Sequence, residues 1–189
     1  MKATETKLKG CFILEPTVFE DSRGYFFESY NENKLENILG YRPTFVQDNQ
    51  SRSSYGVVRG LHMQAGEHAQ AKLVRVIEGI VIDVAVDVRL GSETYGQYVA
   101  VELSAENKKQ LFIPRGFLHG FSVVSEYAAF FYKCDNGYNK ESEDGVHPLD
   151  KELNINWQIP RDQMIISEKD KEAQSFELFK TQKQFKAIK

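Results

Sequence analysis

Between residues 74 and 89 apolar, β-branched residues dominate, with Glu78-Gly79 as the only turn-like punctuation. Such a β-branched run, punctuated once, reads as two buried strands joined in a hairpin rather than as a helix. The stretch before it, residues 56–64, is a third strand-like segment, but it carries polar side chains. Arg59, His62, Gln64, Lys72 and Arg75 follow one another at gaps both odd and even, so period-2 alternation does not put them on one face. Arg59 and His62 in particular point to opposite faces of a regular strand, unless Gly60 marks a bulge that re-aims one of them.

The remaining pattern is of the same kind. Residues 9–15 form a first short strand, and Glu20-Asp21-Ser22-Arg23-Gly24 is a turn leading into a second at 25–30. Asn31 caps a short helix through Leu35, Ile38 and Leu39, which Gly40 stops. Residues 45–51 are strand-like yet polar, with carboxamides on both parities. Further strands lie at 98–103, around Leu111-Phe112-Ile113 and at 128–133. The total is about nine to eleven strands with short turns and little helix, the pattern of a sandwich or barrel. From 136 to 162 the signals weaken to loop with one helical turn, and 172–186 forms a polar amphipathic helix.

Length and charge narrow the function. A chain of 189 residues fits a single domain, 1–189, with 170–189 as a peripheral helical tail. The net charge is −3, from 24 basic and 27 acidic residues, and the basic residues are scattered singly, so a nucleic-acid partner is not expected. Two cysteines, Cys11 and Cys134, are too few for a disulfide scaffold and suit a reducing compartment. Residues 1–10 lack the apolar stretch of a signal peptide, and no window approaches a membrane span, so a cytoplasmic protein with no membrane partner is expected.

Two segments carry the sharpest chemistry: Leu61-His62-Met63-Gln64 and Pro114-Arg115-Gly116-Phe117-Leu118-His119. A lone histidine in a strand has a purely structural reading as a hydrogen-bonded residue. The second segment resembles the second motif of the cupin superfamily. Metal-binding cupins pair it with two histidines two residues apart and a glutamate, and here Gln64 occupies the second histidine position. Glu67 and His68 lie nearby, but a carboxamide replaces imidazole poorly, so no metal is expected.

Taken together, Phe45-Val46-Gln47-Asp48-Asn49, residues 56–64, Lys72-Leu73-Val74-Arg75-Val76, residues 83–89, Thr94-Tyr95-Gly96, residues 113–121, Tyr132-Lys133 and Ser167-Glu168-Lys169-Asp170 closely resemble the dTDP-4-dehydrorhamnose 3,5-epimerase family, in order from about residue 10 to 170. The resemblance implies an all-β, cupin-type jelly roll of two packed antiparallel sheets with a few short helices. It also implies cofactor-independent epimerisation, at the two carbons flanking the ketone, of a nucleotide-linked 4-keto-6-deoxyhexose, and a homodimer in which the strand bearing Phe26 and Glu28 crosses to the partner. Such a reaction needs a base aimed at carbon, a stabilised enolate oxygen and an acid on the opposite face. The family's roles would fall on His62 as base with Asp170 behind it, Tyr132 as proton donor and Lys72 at the enolate oxygen. Arg59 and Arg23 would hold the diphosphate, and Tyr138 would stack on the base. Phe26, Glu28, Gln47, Asp48, Asn49, His119, Glu143 and Lys169 would complete the substrate shell. The chain departs from the family pattern between Cys134 and Pro160, where His147-Pro148-Leu149-Asp150 stands in place of a Trp-Asn-Asp-Pro segment. Two alternatives stay open on the residues alone: an epimerase acting at only one of the two carbons, and a metal-dependent or sugar-binding cupin.

Overall fold

The computed structural model describes residues 1–181. Its strands are β1 (Lys2–Glu5), β2 (Phe12–Glu15), β3 (Val18–Asp21), β4 (Gly24–Phe27), β5 (Gln47–Ser54), β6 (Val57–Gln64), β7 (Lys72–Glu78), β8 (Ile80–Asp87), β9 (Tyr98–Ser104), β10 (Gln110–Ile113), β11 (Phe117–Val123), β12 (Tyr127–Cys134), β13 (Glu143–Gly145) and β14 (Ile165–Ile166). Helices α1 (Glu32–Leu39), α2 (Glu168–Lys171) and α3 (Phe176–Thr181) complete it. One sheet runs β1-β2-β10-β7-β12-β5 and the other β13-β6-β11-β8-β9, with β14 added parallel to β6. Strands β3 and β4 pair only with each other.

The expected hairpin at Glu78-Gly79 is not one. β7 pairs with β10 and β12, whereas β8 pairs with β11 and β9 in the opposite sheet. Gly79, at φ 78°, turns the chain across the sandwich. A side chain there would meet the Ser125 hydroxyl at 2.6 Å and the Tyr127 carbonyl. From β5 to β12 the chain changes sheet at every connection except β8–β9, which is the winding of a jelly roll.

The continuous apolar run of β7 and β8 follows from burial on both faces. In β7, Val74 and Val76 join the cluster between the sheets with Phe121 and Phe130, while Leu73 packs outward with Leu14, Phe112 and Leu35 of α1. In β8, Val81 and Ala85 face that same inner cluster, while Ile82, Val84 and Val86 face outward against Trp157, Phe176 and Phe179.

Helix α1 begins and ends as the sequence implied, with the Asn31 side chain accepting from Lys34 N at 3.0 Å and Gly40 left-handed at φ 77°. Four of the fourteen strands among the described residues, β1, β3, β13 and β14, were not expected from the sequence; β1, β13 and β14 form because backbone edges of β2 and β6 are available to pair, and β3 because β4 folds back on it. The tail is not peripheral where it is described: Asp170, Phe176 and Phe179 are all buried. Of the expected single helix over 172–186 only the short α3 forms among the described residues, with α2 just ahead of it, and residues 182–186 lie outside the described residues.

Candidate active site

A cavity of about 620 Å³ opens between the sheets, and Asn49, Arg59, His62, Lys72, His119, Tyr132, Lys169 and Asp170 are among its lining residues. Arg59 and His62 reach it together because β6 carries the bulge that Gly60 suggested. Arg59 lies opposite Phe121 and His62 opposite His119, so Gly60 and Leu61 together face Gly120 alone. Two glycines are needed where the strands press closest: a side chain on Gly60 would lie 2.6 Å from the Gly120 Cα, and one on Gly120 2.6 Å from the Arg59 carbonyl. The Gly60–Leu61 peptide is cis.

Asp170 comes to His62 from 108 residues away. Ile165 and Ile166 add to the edge of β6 in parallel register with Val57 and Val58, which fixes where the next turn begins. Ser167 then caps α2, its hydroxyl accepting from Asp170 N at 3.2 Å. The Asp170 carboxylate ends 2.5 Å from His62 Nε2, with side-chain exposures of 34% for the histidine and 6% for the aspartate. Burial opposes ionisation of Asp170, but hydrogen bonding and charge from His62, with Ser167 and the Gly60 amide, outweigh it and hold the carboxyl below the usual range. An ionised carboxylate behind an imidazole orients the ring and stabilises its protonated form.

Lys72 and Tyr132 stand on adjacent strands, the ammonium 5.9 Å from the ring centre. Among the described residues no carboxylate pairs with Lys72. Burial pulls its pKa below the usual lysine value, against the opposing charges of Cys134, Asp83 and Glu143. Burial likewise raises the Tyr132 phenol, which keeps its proton. A poorly solvated ammonium without a counter-ion is a ready stabiliser of developing negative charge.

His119, from the Pro-Arg-Gly segment, is only 7% exposed and places Nε2 at 3.0 and 3.2 Å from the two Asp83 oxygens. Burial lowers its pKa despite Asp83, so the ring is neutral. Sequence reasoning missed Asp83, though an acid set in the run Ile-Val-Ile-Asp-Val-Ala was a signal that some buried partner awaited it. Ser53, whose hydroxyl accepts from Arg59 Nε at 3.1 Å, was missed as well.

The other expected residues divide into three groups. Tyr138 and Glu143 border an adjoining cavity of about 550 Å³ that also touches His62, Lys169 and Asp170. There Glu143 takes the Lys169 ammonium at 2.6 Å and the Tyr138 hydroxyl at 3.0 Å. Gln47 and Asp48 line neither cavity: the Gln47 side chain donates to Asn49 and accepts from Tyr138 N, both at 3.0 Å, and Asp48 pairs with Lys133 at 2.9 Å. On β5 the odd-numbered residues turn inward and the even-numbered outward.

Arg23, Phe26 and Glu28 are not brought to the cavity of their own chain. Arg23 pairs with Asp21 at the β3–β4 turn, Phe26 is 69% exposed, and Glu28 binds Lys34 and Asn31 beside α1. Gln64 is spent structurally, accepting from Asn139 N at 2.9 Å, and Glu67 faces solvent. Among the described residues no three His, Cys, Asp or Glu side chains converge, and no helix is long and apolar enough to cross a membrane.

A cupin-type jelly roll with a carboxylate-backed histidine, an unpaired lysine and a protonated tyrosine around one cavity defines a protein equipped for proton transfer at a carbon acid. Its residues 5–177 match the family model described as dTDP-4-dehydrorhamnose 3,5-epimerase, and the chain belongs to that family. It is 54% identical over 157 residues to the dTDP-4-dehydrorhamnose 3,5-epimerase of Salmonella typhimurium, covering 83% of this chain and 86% of the relative. Among solved structures it resembles the enzyme of that name from Elizabethkingia anophelis NUHP1 (61% identity, TM-score 0.91, 94% of this chain and 97% of that one). A second likeness is dTDP-6-deoxy-D-glucose-3,5-epimerase of Legionella pneumophila Philadelphia 1, in complex with dTDP-4-keto-L-rhamnose (45% identity, TM-score 0.94, 100% and 99%).

Proposed function

We propose that this chain epimerises dTDP-4-dehydro-6-deoxy-D-glucose at C3 and C5, giving dTDP-4-dehydro-L-rhamnose for L-rhamnose biosynthesis in the cytoplasm. The observation that carries the reading is the His62–Asp170 pair at 2.5 Å on the wall of a cavity shared with Lys72 and Tyr132. A hydrogen next to a ketone is acidic only if the enolate is stabilised as it forms. Lys72 faces that oxygen, His62 removes the proton, and Asp170 holds the resulting imidazolium. Tyr132 returns a proton to the opposite face, at least at C5.

The guanidinium of Arg59 takes the diphosphate, where its fork matches phosphate oxygens. Tyr138 offers its half-exposed ring to the base. The exposed hairpin with Arg23, Phe26 and the neighbouring Glu28 supports a homodimer in which each hairpin completes the partner's site; an unpaired two-stranded ribbon with bare aromatics is poorly stable by itself.

The deciding experiment incubates the protein with the nucleotide-linked 4-keto sugar in deuterated water and follows label and configuration by NMR. Label and inversion at both C3 and C5 are expected. Inversion at a single carbon makes the protein a mono-epimerase, and no label at either carbon refutes the reading.

A further inference from the structure

The Pro-Arg-Gly segment contains a charged residue that the chemistry leaves unused. Arg115 does not line the cavity. Its Nε donates to Asp135 Oδ2 at 2.9 Å, and its Nη2 lies 3.4 Å from the Asp135 carbonyl. The Asp135 side chain is only 7% exposed. Its other oxygen accepts from Ala71 N at 2.6 Å, and Asp135 N donates to the Ala71 carbonyl at 3.1 Å. One buried carboxylate thus ties together the turn between β10 and β11, the approach to β7 and the exit from β12.

The loop after Asp135 is held by polar contacts on both sides. Gln70 donates to the Asn136 carbonyl at 2.8 Å, and the Asn136 side chain to the Glu67 carbonyl at 2.9 Å. Tyr138 N reaches Gln47 at 3.0 Å, and Asn139 N reaches Gln64 at 2.9 Å. The Tyr138 ring itself is exposed and its hydroxyl bonds Glu143 at 3.0 Å, so its place is set by this backbone and that one hydrogen bond rather than by packing. Lys72 directly succeeds Ala71, on the other side of the same carboxylate.

We infer that Arg115 and Asp135 are positioning residues that set the Tyr138 ring relative to Lys72, and so govern affinity for a nucleoside diphosphate rather than proton transfer. This rests on the proposed reading in which Tyr138 stacks on the base. A charge-assisted bond to a buried carboxylate holds geometry tightly, and its loss leaves one carboxylate oxygen unpaired, which the loop relieves by moving toward water.

The test uses Arg115→Ala, Asp135→Asn and Tyr138→Ala, titrated calorimetrically with dTDP and with pyrophosphate. Asp135→Asn keeps an acceptor for Ala71 N but sets a carboxamide N–H against the Arg115 donor, so it breaks the same link in a chain that still folds if Arg115→Ala does not. Both variants are expected to weaken dTDP binding and raise KM about fivefold, the low end of what a stacked base contributes, and to keep kcat within about twofold. Pyrophosphate affinity stays unchanged, Arg115→Lys restores part of the loss, and Arg115→Ala adds nothing in the Tyr138→Ala background. Unchanged dTDP affinity, an equal loss for pyrophosphate, or a full further loss in the Tyr138→Ala background overturns the inference. A parent protein that does not bind dTDP sinks both the inference and the reading beneath it; a parent that binds while the variants are indifferent sinks the inference alone.

Discussion

His62 and His119 face each other across β6 and β11, and each rests on an aspartate, yet the two pairs are built in opposite ways. Asp83 sits on the strand next to His119 and is fully buried with it; the pair is part of the wall, its ring stacked 6.0 Å from Phe130. Asp170 arrives from a distant segment, and His62 keeps a third of its side chain open. Burial outweighs the charge and hydrogen bond of Asp83 and lowers the His119 pKa, which leaves the ring a fixed hydrogen-bonding group. The ring of His62 stays open to the cavity, over a carboxylate held ionised. Two similar histidine–aspartate contacts thus differ in access, and access is what a ring needs before it can serve as a base in the proposed reaction.

The strongest test of that contrast removes the base. His62→Ala should lose at least about 100-fold in turnover, the usual scale for a general acid or base, and abolish both deuterium exchange and inversion; deuterium entering the sugar above the uncatalysed background would end the assignment. Tyr132→Phe keeps the ring and deletes the hydroxyl, so His62 still exchanges the proton on its own face. The substrate should then gain label at C5 with its configuration retained, and inversion at the parent rate would exclude Tyr132 as donor.

Arg59→Ala touches neither pair and should weaken binding of the nucleoside diphosphate by about 1.5 to 3 kcal/mol, the scale for a hydrogen bond to a charged group. Unaltered affinity with collapsed turnover would move Arg59 into the chemistry. Asp83→Asn addresses the buried pair and should cost about 1 to 3 kcal/mol of stability in denaturant melts, as expected for a disrupted buried hydrogen bond. A variant as stable as the parent would show that the His119 wall tolerates a neutral partner.

The smallest effect is on pH. Asp170 has a folded pKa below the ordinary carboxylate value of 3.8. Its contribution to stability is therefore complete above that value and is lost as pH falls through the folded pKa. Acid melts of Asp170→Asn should fall less steeply than the parent's in that window; identical slopes would mean the dyad adds nothing to folding.

Much of this was present in local pattern. The runs of β-branched residues, the Asn31 cap and Gly40 stop, and the Gly60 bulge are decided by steric and hydrogen-bonding preferences within a few residues, so they read directly. The identities of His62, Lys72, Tyr132 and Asp170 were legible too, as motif residues. Their meeting was not. Whether Glu78-Gly79 folds back as a hairpin or crosses the sandwich depends on which partner strands are free, since both β7 and β8 are buried on two faces and their composition is satisfied either way. Asp170 depends on β14 finding the edge of β6, and Asp135 on an arginine twenty residues earlier in the chain. The contrast between the two histidines has the same origin: each residue type is written in the chain, but exposure is a property of what packs around it, and only long-range contacts settle that.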